Sequence, residues 1–412
     1  MDLTVLAIPG FFGSMAYEAR WLARRAETEG PSPVDYTRED TIASLAMGTG
    51  SLVVPLLARR FSNNFAAGTG RWAKPLLGIA AAGAVTAIIA DAVARAHDQE
   101  PGEIPERTPD DAPSAGTEAP DESNRRWRRL AKKVAGSSAA TAIVAAGYGA
   151  ASTWAVQTSA KKLWSRRVVK DLGGGAVPLT IAVLGWDFLY YWSHRLQHES
   201  RVMWAIHVVH HSSEKYNLST ALRQPWADSL GIFPPYGLMC LFGVRPAHVE
   251  TARQLNLIYQ FWIHTDAIRS LGPLEEVFNT ASHHRVHHGV NSRYIDRNHG
   301  SIFIIWDRLF GTFQRELAED PVRYGLTKNI DTFNPLRIVS HEYGEILRDV
   351  VEADTWGDRL SYVFRGPGWA YARHPQRAGG EAGHPPVETT AVDSSAVEGR
   401  AVEGAPVALA GA

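Results

Sequence analysis

Between His194 and His288 the chain places 11 of its 16 histidines. Eight of them fall in three short strings: His194-Arg-Leu-Gln-His198, His207-Val-Val-His210-His211 and His284-Arg-Val-His287-His288. His283 precedes the third string, and His264 stands alone in Trp262-Ile-His-Thr265. On a helix, residues three or four apart share a face, with Cβ atoms about 5–6 Å apart. Two imidazoles at that separation can grip one metal ion. The three strings offer eight ligands, and His264 makes nine. A single metal takes roughly four to six ligands, so eight or nine imidazoles imply two metals.

Imidazole suits zinc, copper, iron and nickel. A zinc protease would carry His-Glu-x-x-His, with the Glu as general base. Here Arg195 follows His194 and Val208 follows His207, so neither string offers that base. Structural zinc needs four ligands and usually employs cysteine, and Cys240 is the chain's one cysteine. Soluble di-iron bundles use Glu and Glu-x-x-His, which these strings replace with imidazoles. Bis-histidine haem would need two ligands per haem, and the adjacent His287-His288 argues against it. Redox chemistry at two irons fits an all-imidazole site best.

Metal-bound histidine normally hands its other N–H to an acceptor. Asp187 lies seven residues before His194 and Tyr191 three before it, both on the same helical face. Glu199, Glu214 and Asp296 are further acceptor candidates, and His283 is a second-shell or purely structural candidate. His97, His248, His341, His374 and His384 lie outside the strings, and His299 is close to the third.

The elements that must hold these residues read as membrane helices. Leu3–Tyr17, Thr41–Ala58, Pro75–Ala90, Val134–Ala160 and Leu172–Trp186 are uncharged stretches, and Ser229–Val244 is broken by Pro234 and Pro235. Spanning a bilayer takes about 20 apolar residues, which predicts roughly four to six membrane helices. The competing reading is a large soluble α-protein with buried helices. The Ala- and Gly-rich stretches suit close packing in lipid. Thirteen Trp suit aromatic belts at the membrane interface. Mean hydropathy is only −0.17, because two polar segments dilute it. His97–Asn124 holds nine acidic residues, one Arg and five prolines, and Gln376–Ala412 lacks periodicity. Both read as disordered. The expected organisation is N-terminal membrane helices over 1–96, an acidic loop over 97–126, a catalytic domain over 127–335, a helical extension over 336–375 and a tail over 376–412. Lysine and arginine flank both ends of Val134–Ala160, so they do not set orientation. A net charge of −1 gives no reason to expect nucleic acid.

The strings and their surroundings resemble the sterol desaturase / fatty acid hydroxylase superfamily, and within it the alkylglycerol monooxygenase branch. The resemblance rests on Trp186-Asp-Phe-Leu-Tyr-Tyr-Trp-Ser-His-Arg195, on the run from Met203 to Gln224, and on Tyr259-Gln-Phe-Trp-Ile-His264. It continues through Leu271-Gly-Pro-Leu-Glu275, Ser282-His-His-Arg-Val-His-His-Gly289, Ile305-Trp-Asp-Arg-Leu-Phe-Gly-Thr-Phe313 and Tyr324-Gly-Leu-Thr327. It runs from about Leu179 to Pro335, and more faintly back to Asp40-Thr-Ile. Ser212-Ser-Glu-Lys-Tyr-Asn217 and Leu222-Arg-Gln224 point to the alkylglycerol branch.

The resemblance implies an all-α, integral-membrane, multi-pass domain of the cell membrane with its di-iron site on the cytoplasmic side. It implies O2-dependent hydroxylation or desaturation of a lipid C–H. It implies ligands at His194, His198, His207, His210, His211, His284, His287 and His288, with a further one near His264. In the alkylglycerol branch a tetrahydropterin supplies the electrons. The chain holds no CxxC, Rossmann fingerprint or His-Pro-Gly-Gly of its own, so a small molecule or an electron-donor protein must reduce the site. Three other readings stay open. One is a sterol desaturase or hydroxylase, another a zinc-dependent membrane hydrolase, and the third a non-catalytic membrane metal-binding protein.

Overall fold

The computed structural model describes residues 2–96, 122–228 and 233–374. It is all-α: among the described residues extended pairing is limited to two isolated bridges. The N-terminal part holds α1 (Leu3–Glu29), α2 (Arg38–Ser62) and α3 (Ala73–Ala96). Then come α4 (Glu122–Gln157) and the short α5 (Ala160–Ser165). The histidine-bearing part holds α6 (Ala176–Glu199), α7 (Arg201–His211), α8 (Leu238–Leu241), α9 (Pro246–Trp262), α10 (Ala281–His287) and α11 (Ile305–Phe310). It is followed by α12 (Pro335–Glu352), α13 (Trp356–Phe364) and α14 (Pro367–Tyr371).

Among the described residues, three helical stretches are long and apolar enough to cross a membrane: Arg38–Phe65, Ala73–Ala96 and Ser123–Gln157. That is fewer than the four to six expected. The second half of α1 carries Glu18, Arg20, Arg24 and Arg25, and α6 runs out of its apolar stretch into the first histidine string. The proline-broken stretch yields only the four-residue α8 on its described side, and residues 229–232 lie outside the described residues. The acidic loop lies outside them up to residue 121, and α4 begins at Glu122, ahead of the expected boundary at 127. The expected tail over 376–412 lies outside them entirely.

Small residues let the apolar helices approach closely. A Cβ on Gly83 of α3 would sit 2.8 Å from the Ser138 carbonyl of α4. A Cβ on Gly136 would collide with the Val351 carbonyl of α12. Charged side chains inside the bundle are paired. Arg359 of α13 donates to both Asp91 oxygens of α3 at 2.6 and 2.9 Å. Arg201, the first residue of α7, donates to Glu342 at 2.7 Å and Asp349 at 2.6 Å, both on α12. All of these are buried, and breaking such a pair costs about 3–5 kcal/mol. The helix after the matched strings is therefore bolted to the start of the helix that carries the second one.

Candidate metal centre

The helices bring all nine expected histidines together and sort them into two groups. His194 and His198 come from α6, His207, His210 and His211 from α7, and His284 and His287 from α10. His264 follows the end of α9, and His288 caps α10. The first group is His194, His198, His207, His211 and His287, and the second is His210, His264, His284 and His288. Within each group the candidate ligand nitrogens lie within 4.8 Å of one another, and all nine residues are buried. Each of the later strings is divided: His207 and His211, four apart, join the first group, while His210 joins the second. The third string reverses this, with His284 and His288 in the second group and His287 in the first. The groups touch, and the His211 and His288 rings stack at 4.4 Å.

The donor geometry fits metal ions. Nε2 atoms meet at 2.9 Å (His194 and His207), 3.0 Å (His207 and His211), 3.1 Å (His210 and His264) and 2.8 Å (His264 and His284). Two imidazole nitrogens bound at right angles to one ion at about 2.1 Å would lie about 3.0 Å apart. Four of the outer nitrogens are committed to backbone carbonyls. Nδ1–H of His194 donates to the His299 carbonyl at 2.9 Å, and that of His287 to the Arg297 carbonyl at 3.0 Å. Nδ1–H of His264 donates to the Gln260 carbonyl at 2.7 Å, and that of His210 to the Arg223 carbonyl at 3.3 Å. The backbone therefore fixes the tautomer. Neutral His210 and His264 then face each other through two unprotonated Nε2 lone pairs in a buried site. The same orphaned state holds for Nε2 of His198, His287 and His288, which have no protein partner. A bound cation resolves all of these contacts.

Burial, and then the neighbouring imidazoles, push His207, His211, His284, His287 and His288 well below the usual histidine range. Burial chiefly depresses His194 to about 3 and His264 to about 4. These seven imidazoles are neutral at pH 7 and release no proton on taking up a metal.

The first group's outer partners come from one loop. Asp296 and Asn298 both have φ +57, a left-handed conformation that Asp and Asn tolerate better than most residues. That backbone aims the carbonyls of Arg297 and His299 at His287 and His194, and Asp296 places a carboxylate oxygen 3.3 Å from Nδ1 of His198. The loop is held by Asp307, whose carboxylate accepts the backbone N–H of His299 and of Gly300, both at 2.7 Å. Thr312 also donates to Asp307 at 2.7 Å, and Tyr191 meets the Thr312 hydroxyl at 3.0 Å.

The other residues expected to partner the ligands lie away from the imidazole nitrogens. Asp187 is fully buried but accepts the backbone N–H of Ile302 and Phe303 and the indole N–H of Trp306. It anchors the segment after the loop and touches no imidazole nitrogen. Glu199 pairs with Arg195 at 2.7 Å on the surface. Glu214 is exposed, because α7 ends at His211 and the helical register no longer carries it inward. His283 is buried against the Phe313 ring and belongs to neither group. His299 packs beside His198, ring centroids 5.0 Å apart.

The second group draws on the N-terminal helices. Arg223, whose carbonyl takes His210, donates its guanidinium N–H to Asp40 of α2 at 2.6 Å, to Ser44 at 3.1 Å and to Ser212 at 3.2 Å. Ser213 also donates to Asp40, at 2.8 Å. Tyr216 donates to the Ile263 carbonyl at 3.0 Å, one residue before His264. Glu18 of α1 accepts from the hydroxyls of Thr265 and Tyr36. The Ser212–Asn217 and Leu222–Gln224 strings thus brace this group. The signal that could have found Asp40 is an acidic residue directly before the uncharged stretch Thr41–Ala58.

Residues 179–312 match the fatty acid hydroxylase family. Human alkylglycerol monooxygenase is 48% identical over 188 residues, which cover 46% of this chain and 42% of that protein. The Danio rerio alkylglycerol monooxygenase is 45% identical over 215 residues, 50% of this chain and 48% of that protein. A Delta(7)-sterol 5(6)-desaturase of Schizosaccharomyces pombe is 32% identical over 184 residues, 43% of this chain and 55% of that protein. The chain spans about half the length of the curated relatives it matches. No solved structure matches it. The segment that carries both histidine groups is thus similar to the fatty acid hydroxylase family, to alkylglycerol monooxygenases and to a sterol desaturase.

Proposed function

We propose that this chain is a membrane-bound di-iron oxygenase that hydroxylates or desaturates a lipid C–H bond with O2, an ether lipid being the substrate its relatives favour. The observation that carries this is the pair of adjacent, buried, all-imidazole groups with converging Nε2 atoms. Five imidazoles in one group exceed the four ligands of a tetrahedral zinc site, which favours iron over a zinc hydrolase. The relatives' names, monooxygenase and desaturase, favour redox chemistry in the same direction. His194, His198, His207, His211 and His287 would hold one iron, and His210, His264, His284 and His288 the other. When bound, the irons supply O2 reduction and abstraction of a hydrogen from the lipid chain, with electrons from outside the chain, by analogy a tetrahydropterin.

The chain's own part is to keep the imidazoles neutral, orient them through the carbonyls of Arg223, Gln260, Arg297 and His299, and exclude water. Domain limits of 127–335 for the catalytic part and 336–375 for its helical brace fit this reading. So does a multi-pass placement with the histidines on the cytoplasmic side. The test is lipid analysis of cells with and without the protein under 18O2. An ether lipid that loses its alkyl chain with one 18O incorporated supports the proposal. A sterol product gaining a double bond would move the assignment to the sterol branch. An O2-independent lipid product would refute it.

A further inference from the structure

Trp204 of α7 stands one turn before His207 and two turns before His211, so the three share a face. Its indole lies against ligands of the five-histidine group. Ring centroids are 5.1 Å from His198, 5.5 Å from His211 and 6.3 Å from His207. The indole N–H donates to the Tyr371 hydroxyl at 3.3 Å. Tyr371 in turn donates to Oε2 of Glu342 on α12 at 2.7 Å. Glu342 is buried, and its other oxygen accepts from Arg201 at 2.7 Å. Tyr371 is half-buried at the end of the short α14. The entry to α14 is tied to α7, because the Arg201 N–H donates to the Arg365 carbonyl at 2.9 Å. A chain of contacts thus runs from metal ligands through an indole and a phenol to a carboxylate.

Other tyrosines lie directly against the histidines but are built differently. Tyr190 is 5.2 Å from His194 and Tyr216 is 5.2 Å from His288, centroid to centroid. Tyr190 donates to the side-chain amide oxygen of Gln260 at 2.7 Å, and Tyr216 to the Ile263 carbonyl at 3.0 Å. Neither acceptor is a base. A phenol gives up an electron readily only when its proton leaves with it, and the base that takes the proton must stand within about 2.6–3.2 Å. Tyr371 has such a base in Glu342. We propose that Trp204 and Tyr371 form a one-electron outlet that discharges the metal centre when no lipid is seated. The proposal rests on the oxygenase reading, in which the centre develops an O2-derived oxidant strong enough to take hydrogen from a lipid chain. Trp204 gives one electron to that oxidant, and Tyr371 refills Trp204. The Tyr371 O–H bond breaks, its proton passes to Glu342, and a neutral tyrosyl radical remains. Each passage delivers one electron to the centre. Arg201 keeps its second partner, Asp349 at 2.6 Å, while Glu342 is protonated. The external reductant that the reaction already requires then returns an electron to Tyr371, and Glu342 returns the proton.

The test uses the full chain, produced with iron, purified in detergent, reduced with dithionite and desalted. It is mixed with O2 in the absence of lipid and frozen for electron paramagnetic resonance, with the iron followed by Mössbauer spectroscopy. The wild-type chain should show a tyrosyl radical whose splitting collapses when the protein is grown on ring-deuterated tyrosine. Tyr371→Phe should lose that radical with metal content unchanged, and peptide mass spectrometry should find an oxidised indole at Trp204 in its place. Glu342→Gln keeps an oxygen that accepts a hydrogen bond but cannot take the proton, so it should lose the tyrosyl radical as well. A tyrosyl radical of full intensity in Tyr371→Phe would overturn the proposal. Loss of metal together with the radical in that variant would also overturn it, by making Tyr371 a structural prop of the centre. The wild-type sample separates this proposal from the oxygenase reading. Iron reoxidised without any tyrosyl radical would overturn the outlet and leave the oxygenase standing. Iron that stays ferrous in O2 would overturn both.

Discussion

The five-histidine and four-histidine groups share two strings, yet they are supported from different parts of the chain. The first takes its outer hydrogen bonds from the loop at Asp296–His299. That loop lies inside the segment shared with the fatty acid hydroxylase family. The second takes them from Gln260 and Arg223, and Arg223 is held by Asp40 of a membrane-length helix outside that segment. The difference teaches that the two groups lean on different parts of the chain. One is braced by a loop inside the matched segment, and the other also depends on a helix outside it.

The largest effect expected is at the first group. Nε2 of His207 meets both His194 and His211, so His207→Ala should empty that position and lower product formation by about 100-fold or more. Elemental analysis should then find the second position's metal retained. Loss of both metals would show that the groups are not separable.

The second expected effect is on the metal-free chain. Its imidazoles are held below their unfolded value of about 6.5, His194 at about 3 and His264 at about 4. A base with a depressed folded value leaves the unfolded chain to bind protons first. Stability is therefore complete above pH 6.5 and falls as pH drops toward 3 to 4. The melting temperature of the metal-free protein should decline through that window, and bound metal should delay the decline. A flat profile would contradict the burial of neutral imidazoles.

Third, Asp40→Asn should weaken metal binding at the four-histidine group by about 10–100-fold and leave the five-histidine group's metal in place. Equal loss at both positions would break the comparison. The smallest effect belongs to Asp296→Asn. Asp296 is half exposed and meets His198 at 3.3 Å, so the affinity of the five-histidine group should fall by about tenfold or less. Competition with a chelator resolves both variants.

The strings themselves were legible in the sequence because helical spacing fixes which imidazoles share a face. So was the all-α character, since the apolar stretches Thr41–Ala58 and Pro75–Ala90 lie within α2 and α3, and Val134–Ala160 runs through α4 to its end at Gln157. The division of the second and third strings between two groups was not legible. It depends on how α7 and α10 face each other, which no spacing rule contains. Asp187 was read as a partner of the metal ligands from its seven-residue offset, yet two helical turns carry it along α6 to Ile302 and Trp306 instead. Glu214, a candidate only because it stands near the second string, is exposed beyond the end of α7. Asp307 and Arg223 act through backbone groups, a role that leaves no pattern in residue type.

The central claim is that the nine histidines form two metal positions. Its most direct test is the iron-to-protein ratio of the full chain produced with iron and measured by elemental analysis beside lipid turnover. Two irons per active chain are predicted, with turnover lost when either iron is removed. A chain that oxidises lipid at full rate with one metal, or with none, would contradict it.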